Sequence, residues 1–285
     1  MKKAFCQLLK TGFYSSIQDA GRKGWRAKGI PLSGPMDWES YSRANRLVGN
    51  ESPLASLEMT LSGPTLLFND PVWVVCSGAK QEVLLNGEEK EQDRPFLCNT
   101  GDVLQLGQMT QGVRSYLAFL GGLKTELHLG SRSQYAPISP ESRIQKGEKL
   151  PFISNHLSPT FPTEKKRPAK AFEERDFIRV SPGIEWAQCP AIVQKQLFNT
   201  AFVIGSNDRM GYRLEGKLNP LEIQPLSGVI LPGTIQLSTA GTLLIAMVDS
   251  QVTGGYLRVL TIDQEERNFL AQQSAGKKLR LQWVV

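Results

Sequence analysis

The chain has 285 residues, with 33 Lys and Arg against 27 Asp and Glu and a net charge of +6. Hydrophobic residues at 40% and charged residues at 21% exclude wholesale disorder and fit one large or two ordinary domains. The small positive surplus is concentrated in one run, Lys165-Lys166-Arg167 with Lys170 nearby, which reads as a solvated loop and not as a nucleic-acid surface.

In chain order, MKKAFCQLLK opens with two lysines, but its apolar stretch ends at Lys10, too short for a secretory signal. No apolar run is long enough for a membrane span. The four cysteines, Cys6, Cys76, Cys98 and Cys189, form no paired spacing, so a cytoplasmic setting is expected. With 26 glycines and 17 prolines, the two exceed their joint average of roughly 12%, which implies many turns. Pro35 suits the first position of a helix capped by Ser33 or Gly34 and ended by Gly49-Asn50. Its Tyr41, Ala44, Leu47 and Val48 recur at helical spacing. Strands are read at Val72–Cys76, Glu82–Leu85 before an Asn86-Gly87 hairpin turn, Asp102–Leu106 and Arg114–Leu120. Later strands fall at Asp176–Val180, Gly228–Leu231, Thr242–Val248 and Tyr256–Ile262, with a second helix near Asp263–Gln272. Short strands with few helices give an all-β class, barrel or sandwich. A Pro-rich, aperiodic stretch divides the chain into domains of about 1–155 and 175–285, with 156–174 as linker, and more than one crossing between them is left open.

The chemistry is bounded first by exclusions. There is no G-x-x-x-x-G-K-[ST] loop, and no two glycines stand two apart, so G-x-G-x-x-G is missing. His128 and His156 are the sole histidines, and no ligand set accompanies them, so no metal site is expected. A G-x-S-x-G elbow is missing too.

Three Gly-rich polar clusters remain. The first runs from Gly12 through Gln18, Asp19, Gly21 and Arg22 to Ser33, Gly34, Pro35, Met36 and Asp37. A helix start among glycines offers backbone N–H groups to an anion or oxyanion; the same spacing is met if Asp19 and Arg22 pair and the glycines serve turns. The second, Ser206 to Gly216, holds Asn207, Arg209, Met210, Tyr212 and Arg213, where Arg209 can clamp a carboxylate or phosphate. A hairpin with a surface charge network fits it equally. The third, Asp249-Ser250-Gln251-Val252-Thr253-Gly254-Gly255, puts a carboxylate at a strand end beside exposed amides. That arrangement suits a general base or an Asp-capped turn.

Together these clusters resemble the KipA-like, biotin-dependent carboxyltransferase family, also called allophanate hydrolase subunit 2. The likeness rests on SIQDAGRKGW…GIPLSGPMDWESYSRANRLVGN, LEMTLSGPTLLF, RSYLAFLGGL, LGSRSQY, SNDRMGYRLEG, LSGVILPGTIQL and DSQVTGGYLRVLTI, and spans residues 11 to 262. The resemblance implies two cyclophilin-like β-barrel domains. It implies a role as the C-type member of an ATP-dependent 5-oxoprolinase that opens 5-oxo-L-proline to glutamate, beside a KipI-like B-type partner and a LamB/YcsF-like A-type partner. The family also supplies carboxyltransferase components acting on urea or another amide, and non-catalytic antagonists of KipI-like kinase inhibitors. ATP would be bound by the complex, and biotin would arrive on a partner chain, because no Met-Lys-Met segment occurs here. An apolar flank covered by the B-type partner is expected. Matched positions give Asp249, Asp37 and Arg209 as catalytic candidates. Gln18, Asp19, Arg22, Ser33, Met36, Arg132, Asn207, Met210, Tyr212, Arg213, Gln251, Thr253, Gly254 and Gly255 become substrate-binding candidates. Val252 replaces an expected Thr, and Leu257 an expected Pro.

Overall fold

The computed structural model describes residues 4–154, 161, 174–223 and 225–284. The expected linker 156–174 therefore lies outside the described residues, apart from Phe161 and Glu174, and so does the basic run at 165–170. Two compact units emerge: the first is Met1–Arg22 with Ser33–Phe172, the second Lys23–Leu32 with Glu173–Val285. Strands are the main regular element of both.

The first unit is a nine-stranded antiparallel sheet. Its strands are β1 (Ala4–Lys10), β2 (Tyr14–Gln18), β3 (Ser56–Thr60), β4 (Thr65–Phe68), β5 (Val72–Leu85), β6 (Glu88–Glu89), β7 (Phe96–Cys98), β8 (Val103–Phe119) and β9 (Lys149–Phe152). They run β2-β3-β8-β4-β1-β9, and β5 joins β8 and carries β6 and β7. The strands read separately at Val72–Cys76 and Glu82–Leu85 are one strand, as are those at Asp102–Leu106 and Arg114–Leu120. Three register shifts between Gly78 and Val83 keep the pair together, because a bulge bends a strand without ending it. The Asn86-Gly87 turn is as read, with φ of 53° and 85°.

Alternation along β5 and β8 explains their unbroken hydrophobic runs. Val74, Cys76, Leu117 and Phe119 face the main core. Val75, Tyr116 and Ala118 face α1 (Trp38–Leu47), against Tyr41, Ala44, Leu47 and Val48. A sheet buried on both faces needs no polar residue in these runs. The helix starts later than Pro35 suggests. Asp37 is the N-cap, its Oδ1 accepting from the Ser40 N–H at 3.1 Å; a carboxylate satisfies an orphan donor that proline at the first position leaves open.

The second unit contains β10 (Phe177–Pro182), α2 (Ala191–Asn199), β11 (Phe202–Asn207), β12 (Gly211–Glu215), β13 (Gly228–Val229), β14 (Thr234–Leu237), β15 (Leu243–Ala246), β16 (Thr253–Gly254), β17 (Leu257–Thr261), α3 (Gln264–Ala271) and β18 (Lys278–Trp283). A closed barrel runs β10-β17-β14-β15-β12-β11-β18, sealed by parallel pairing of β10 with β18. β13 and β16 form a separate two-stranded ribbon. Period-2 burial fills the barrel: Tyr212 and Leu214 of β12 are wholly buried while Arg213 is exposed. Helix α2 was not legible in the sequence, since it buries only Val193 and Leu197 and leaves Ile192 exposed. Helix α3 is capped by Asp263, which accepts from the Glu266 N–H at 2.9 Å. The Glu266 side chain is buried and binds Arg175 and Arg179 instead of closing a capping box.

Candidate functional site

The first cluster folds into a buried polar knot in the first unit. Asp19 Oδ1 accepts from Gly21 N (3.0 Å), Ser131 Oγ (2.6 Å) and Ser133 Oγ (2.8 Å), and Oδ2 accepts from Arg132 N at 2.6 Å. Arg22 has no exposed surface. Its guanidinium donates to the His128 carbonyl (3.0 Å), the Ser133 carbonyl (2.7 Å) and Ser33 Oγ (3.3 Å). Gln18 is also fully buried and donates to Ser16 Oγ and the Gln134 carbonyl. The Arg132 guanidinium donates to the Thr125 carbonyl.

Met36 and Asp37 are tied to the same unit by a residue that motif spacing did not single out. Glu58 Oε2 accepts from Met36 N and from the Tyr116 hydroxyl, each at 2.8 Å, while that hydroxyl accepts from Asp37 N at 2.8 Å. Burial, with the charges of Glu58 and Asp37 beside it, pushes the Tyr116 phenol well up, so it stays protonated and keeps donating. Burial and then the Asp19 charge likewise raise the Tyr41 phenol. The Asp37 carboxylate, fully buried, receives Ser40 N and Ser40 Oγ, the latter at 2.6 Å. These side chains hold one another, and the charge of each is met by groups a few ångströms away.

The second and third clusters come together in the second unit. Arg209 Nε lies 2.7 Å from Asp249 Oδ2, and both residues are buried. Backbone bonds from Met247 N to the Met210 carbonyl and from Asp249 N to the Arg209 carbonyl, each 2.9 Å, extend the β12–β15 pairing past the strand ends. Beside this pair lies a cleft of about 340 Å³ lined by Asn207, Met210, Tyr212, Arg213, Gln236 and Gln251, among others. That volume lies within the range of about 300–1,000 Å³ usual for small-ligand sites.

The cleft follows from register. Arg213 pairs with Leu244, and Leu244 pairs with Gln236, so these three form a row across β12, β15 and β14. The next row on the same face is Gly211 opposite Ala246. Two small residues side by side leave a hollow where larger ones would fill the surface. Ser250 lines it too; the side chain is 4% exposed, and its Oγ has no hydrogen-bond partner among the described residues. Gly254 packs behind three lining residues: a Cβ there would fall 2.3 Å from Ile230 Cδ1, 3.0 Å from Gln236 Nε2 and 3.1 Å from Gln251 Nε2. Glycine is thus required for the close approach of three cleft residues. Thr253 is exposed on the ribbon and Gly255 follows it, both outside the cleft lining.

The family described as "Carboxyltransferase domain, subdomain A and B" matches residues 28–283. The chain belongs to that family. Among curated relatives, the C subunit of 5-oxoprolinase from Escherichia coli is 30% identical over 280 residues, covering 96% of this chain and 89% of the relative. The same-named protein of Haemophilus influenzae is 28% identical, covering 95% and 88%. Urea amidolyase of Lachancea kluyveri is 40% identical over 131 residues, 46% of this chain and 7% of that protein. Among solved structures, TTHA0988 superposes with a TM-score of 0.88 at 26% identity, covering 99% of this chain and 56% of that one. The K. lactis urea amidolyase structure gives 0.85 at 28%, over 99% of this chain and 19% of that one. The chain therefore spans only about half, or less, of these solved chains.

Glu58, Tyr116, Ser131, Ser133, Gln236 and Ser250 complete the two constellations. Glu58 stands in LEMTLSG, Tyr116 in RSYLAFLGGL and Gln236 in LPGTIQL, all within blocks that carry the family likeness. What exposes their roles is strand pairing, such as Glu58 opposite Tyr116.

Proposed function

We propose that this chain is the C-type member of an ATP-dependent 5-oxoprolinase, opening 5-oxo-L-proline to L-glutamate together with a KipI-like B-type and a LamB/YcsF-like A-type partner. The observation that carries the reading is near-full-length similarity, over 96% of this chain and 89% of the relative, to a protein named as the C subunit of 5-oxoprolinase. A lactam is a poor electrophile. Transfer of the ATP γ-phosphoryl group to the lactam oxygen creates a leaving group; one water then opens the ring, and a second releases phosphate. This chain has no phosphate loop, so the nucleotide is held with the partners.

The roles of this chain's residues follow from the second unit. Asp249, fixed by Arg209 and next in sequence to the cleft-lining Ser250, is the group that orients water. Arg209 acts as its positioning residue, since its guanidinium is turned onto Asp249. The exposed Arg213 takes over the part of the anion clamp. Asp37, enclosed by Ser40, holds the start of α1. The segment leading to the ribbon exposes Ile223, Leu226, Val229 and Leu231, an apolar margin that supports coverage by a partner.

The test is glutamate and ADP release from 5-oxoproline and ATP by the three co-expressed chains, each omitted in turn. Turnover lost without this chain, and lowered at least a hundredfold by Asp249→Asn in a folded complex, is expected. Full turnover without this chain would sink the reading. The 40% identity over 131 residues to urea amidolyase favours a second reading, biotin-linked carboxyl transfer to an amide. It predicts bicarbonate-dependent turnover with a biotinylated partner.

A further inference from the structure

We infer that the cleft on the outer face of the barrel in the second unit binds the cyclic amide itself, its carbonyl oxygen between Gln236 and Gln251 and an attached carboxylate on Arg213. The choice of a lactam acid as ligand rests on the 5-oxoprolinase reading; the chemistry of the cleft does not. The two glutamine nitrogens both lie about 3 Å from the point a Gly254 Cβ would occupy, so they stand within about 6 Å of each other. Two N–H donors that share one carbonyl oxygen at ~2.9 Å each stand no more than about 6 Å apart, and Gln236 Nε2 has a second N–H besides the one directed at the Tyr256 carbonyl (3.4 Å). Ser250 Oγ, buried and without a hydrogen-bond partner among the described residues, adds a group able to give or take a hydrogen bond at the ring N–H. A buried hydroxyl left this way is costly until a ligand meets it.

A cation stands at the other end. Arg213 is exposed, lines the cleft and has no ion pair among the described residues. The neighbouring Asp208 lines the cleft as well, and its Oδ1 accepts from Met210 N (2.7 Å) and Gly211 N (3.0 Å). Spacing agrees with a small ligand. Arg213 and Gln236 are two strands apart in one row, hence ~10 Å between backbones. A five-membered lactam acid spans about 5 Å from carboxylate to ring oxygen at ordinary bond lengths, leaving the remainder to the two side chains. Its ring would lie over the hollow at Gly211 and Ala246.

The experiment is calorimetric titration of the full-length chain with 5-oxo-L-proline, 2-pyrrolidinone and 2-imidazolidinone. 2-Pyrrolidinone lacks the carboxylate, and 2-imidazolidinone presents the ureido group found in biotin. We expect Arg213→Ala to weaken 5-oxoproline about tenfold and leave 2-pyrrolidinone unchanged. Gln251→Ala, at an exposed position, should weaken both lactams by a similar factor. Ala246→Leu should fill the hollow and abolish binding of both, with an unchanged melting temperature showing that the barrel is intact. An equal effect of Arg213→Ala on both lactams overturns the inference, as does binding that survives Ala246→Leu. No millimolar binding of any probe, or tighter binding of 2-imidazolidinone than of the lactams, also overturns it. Turnover that fails in the complex while these variants behave as expected removes the function and keeps the site. Turnover that persists with no binding in the cleft does the reverse.

Discussion

Asp19 takes four hydrogen bonds, and three of its donors come from residues more than a hundred positions away. Replacing it by Ala would strand those donors inside the first unit. We expect a loss of about 3 kcal/mol in denaturant unfolding, and Asp19→Asn recovers part of it, because Oδ1 still accepts from three donors while the amide nitrogen faces the Arg132 N–H. A second residue-scale expectation concerns acid. Hydrogen bonds from Arg258 hold the Glu185 carboxyl below the ordinary carboxylate range. A lowered folded pKa means that this stabilisation is complete above the unfolded value of about 4.3 and fades as pH falls through the lower folded value. Melting temperature followed from pH 6 down to pH 3 should fall less steeply in Glu185→Gln than in the parent chain. Spacing in the sequence drew attention to Asp19 and Arg22 but could not name their partners. Ser131 and Ser133 belong to a distant loop, and only the fold brings them to the knot.

At the scale of elements, helix α1 separates two roles for one carboxylate. Asp37→Ala removes the cap and should cost about 1–2 kcal/mol, whereas Asp37→Ser keeps an accepting oxygen and should restore most of it. Turnover of the assembled complex should follow stability across this pair. Activity lost in a stable Asp37→Ser variant would instead return Asp37 to the chemistry. Part of the element pattern was legible: β-type runs gave β5, β8, β10, β13, β15 and β17, Asn86-Gly87 gave a hairpin, and Asp263 gave a cap. What escaped has physical causes. Bulges near Lys80 let β5 run on where the alternation breaks. The apolar face of α2 is too narrow to register as a period, with two buried residues in nine.

For the whole molecule, all four cysteines are free and buried. Burial pushes the Cys76 thiol up to about 12 and Cys189 to about 11, and Cys6 and Cys98 also lie well above the ordinary thiol value. Ellman's reagent at pH 8 should therefore find almost no reactive thiol in the native chain and four in guanidinium. At the apolar margin, Leu226 is 93% exposed. Leu226→Asp with Val229→Asp should leave the chain's own melting temperature unchanged within a few degrees and weaken co-purification with the partner chains. Both domains' β character could be read from the sequence, but the membership of Lys23–Leu32 in the second unit could not. No local pattern marks a segment whose neighbours lie at the other end of the chain.

That short segment has a consequence during synthesis. The Arg26 guanidinium donates to the carbonyl of Ile230, 204 residues later, and Ile230 lines the cleft. On a ribosome adding ~5–20 residues per second, Arg26 waits about 10–40 s for that acceptor to be made. During this interval the first unit can already be assembling on both sides of a loop that remains uncommitted. The second unit, though drawn mostly from the end of the chain, includes residues from its beginning. A gene split at the Pro-rich stretch would yield a carboxyl-terminal half deprived of Lys23–Leu32, and adding the amino-terminal half in trans should be needed to complete it.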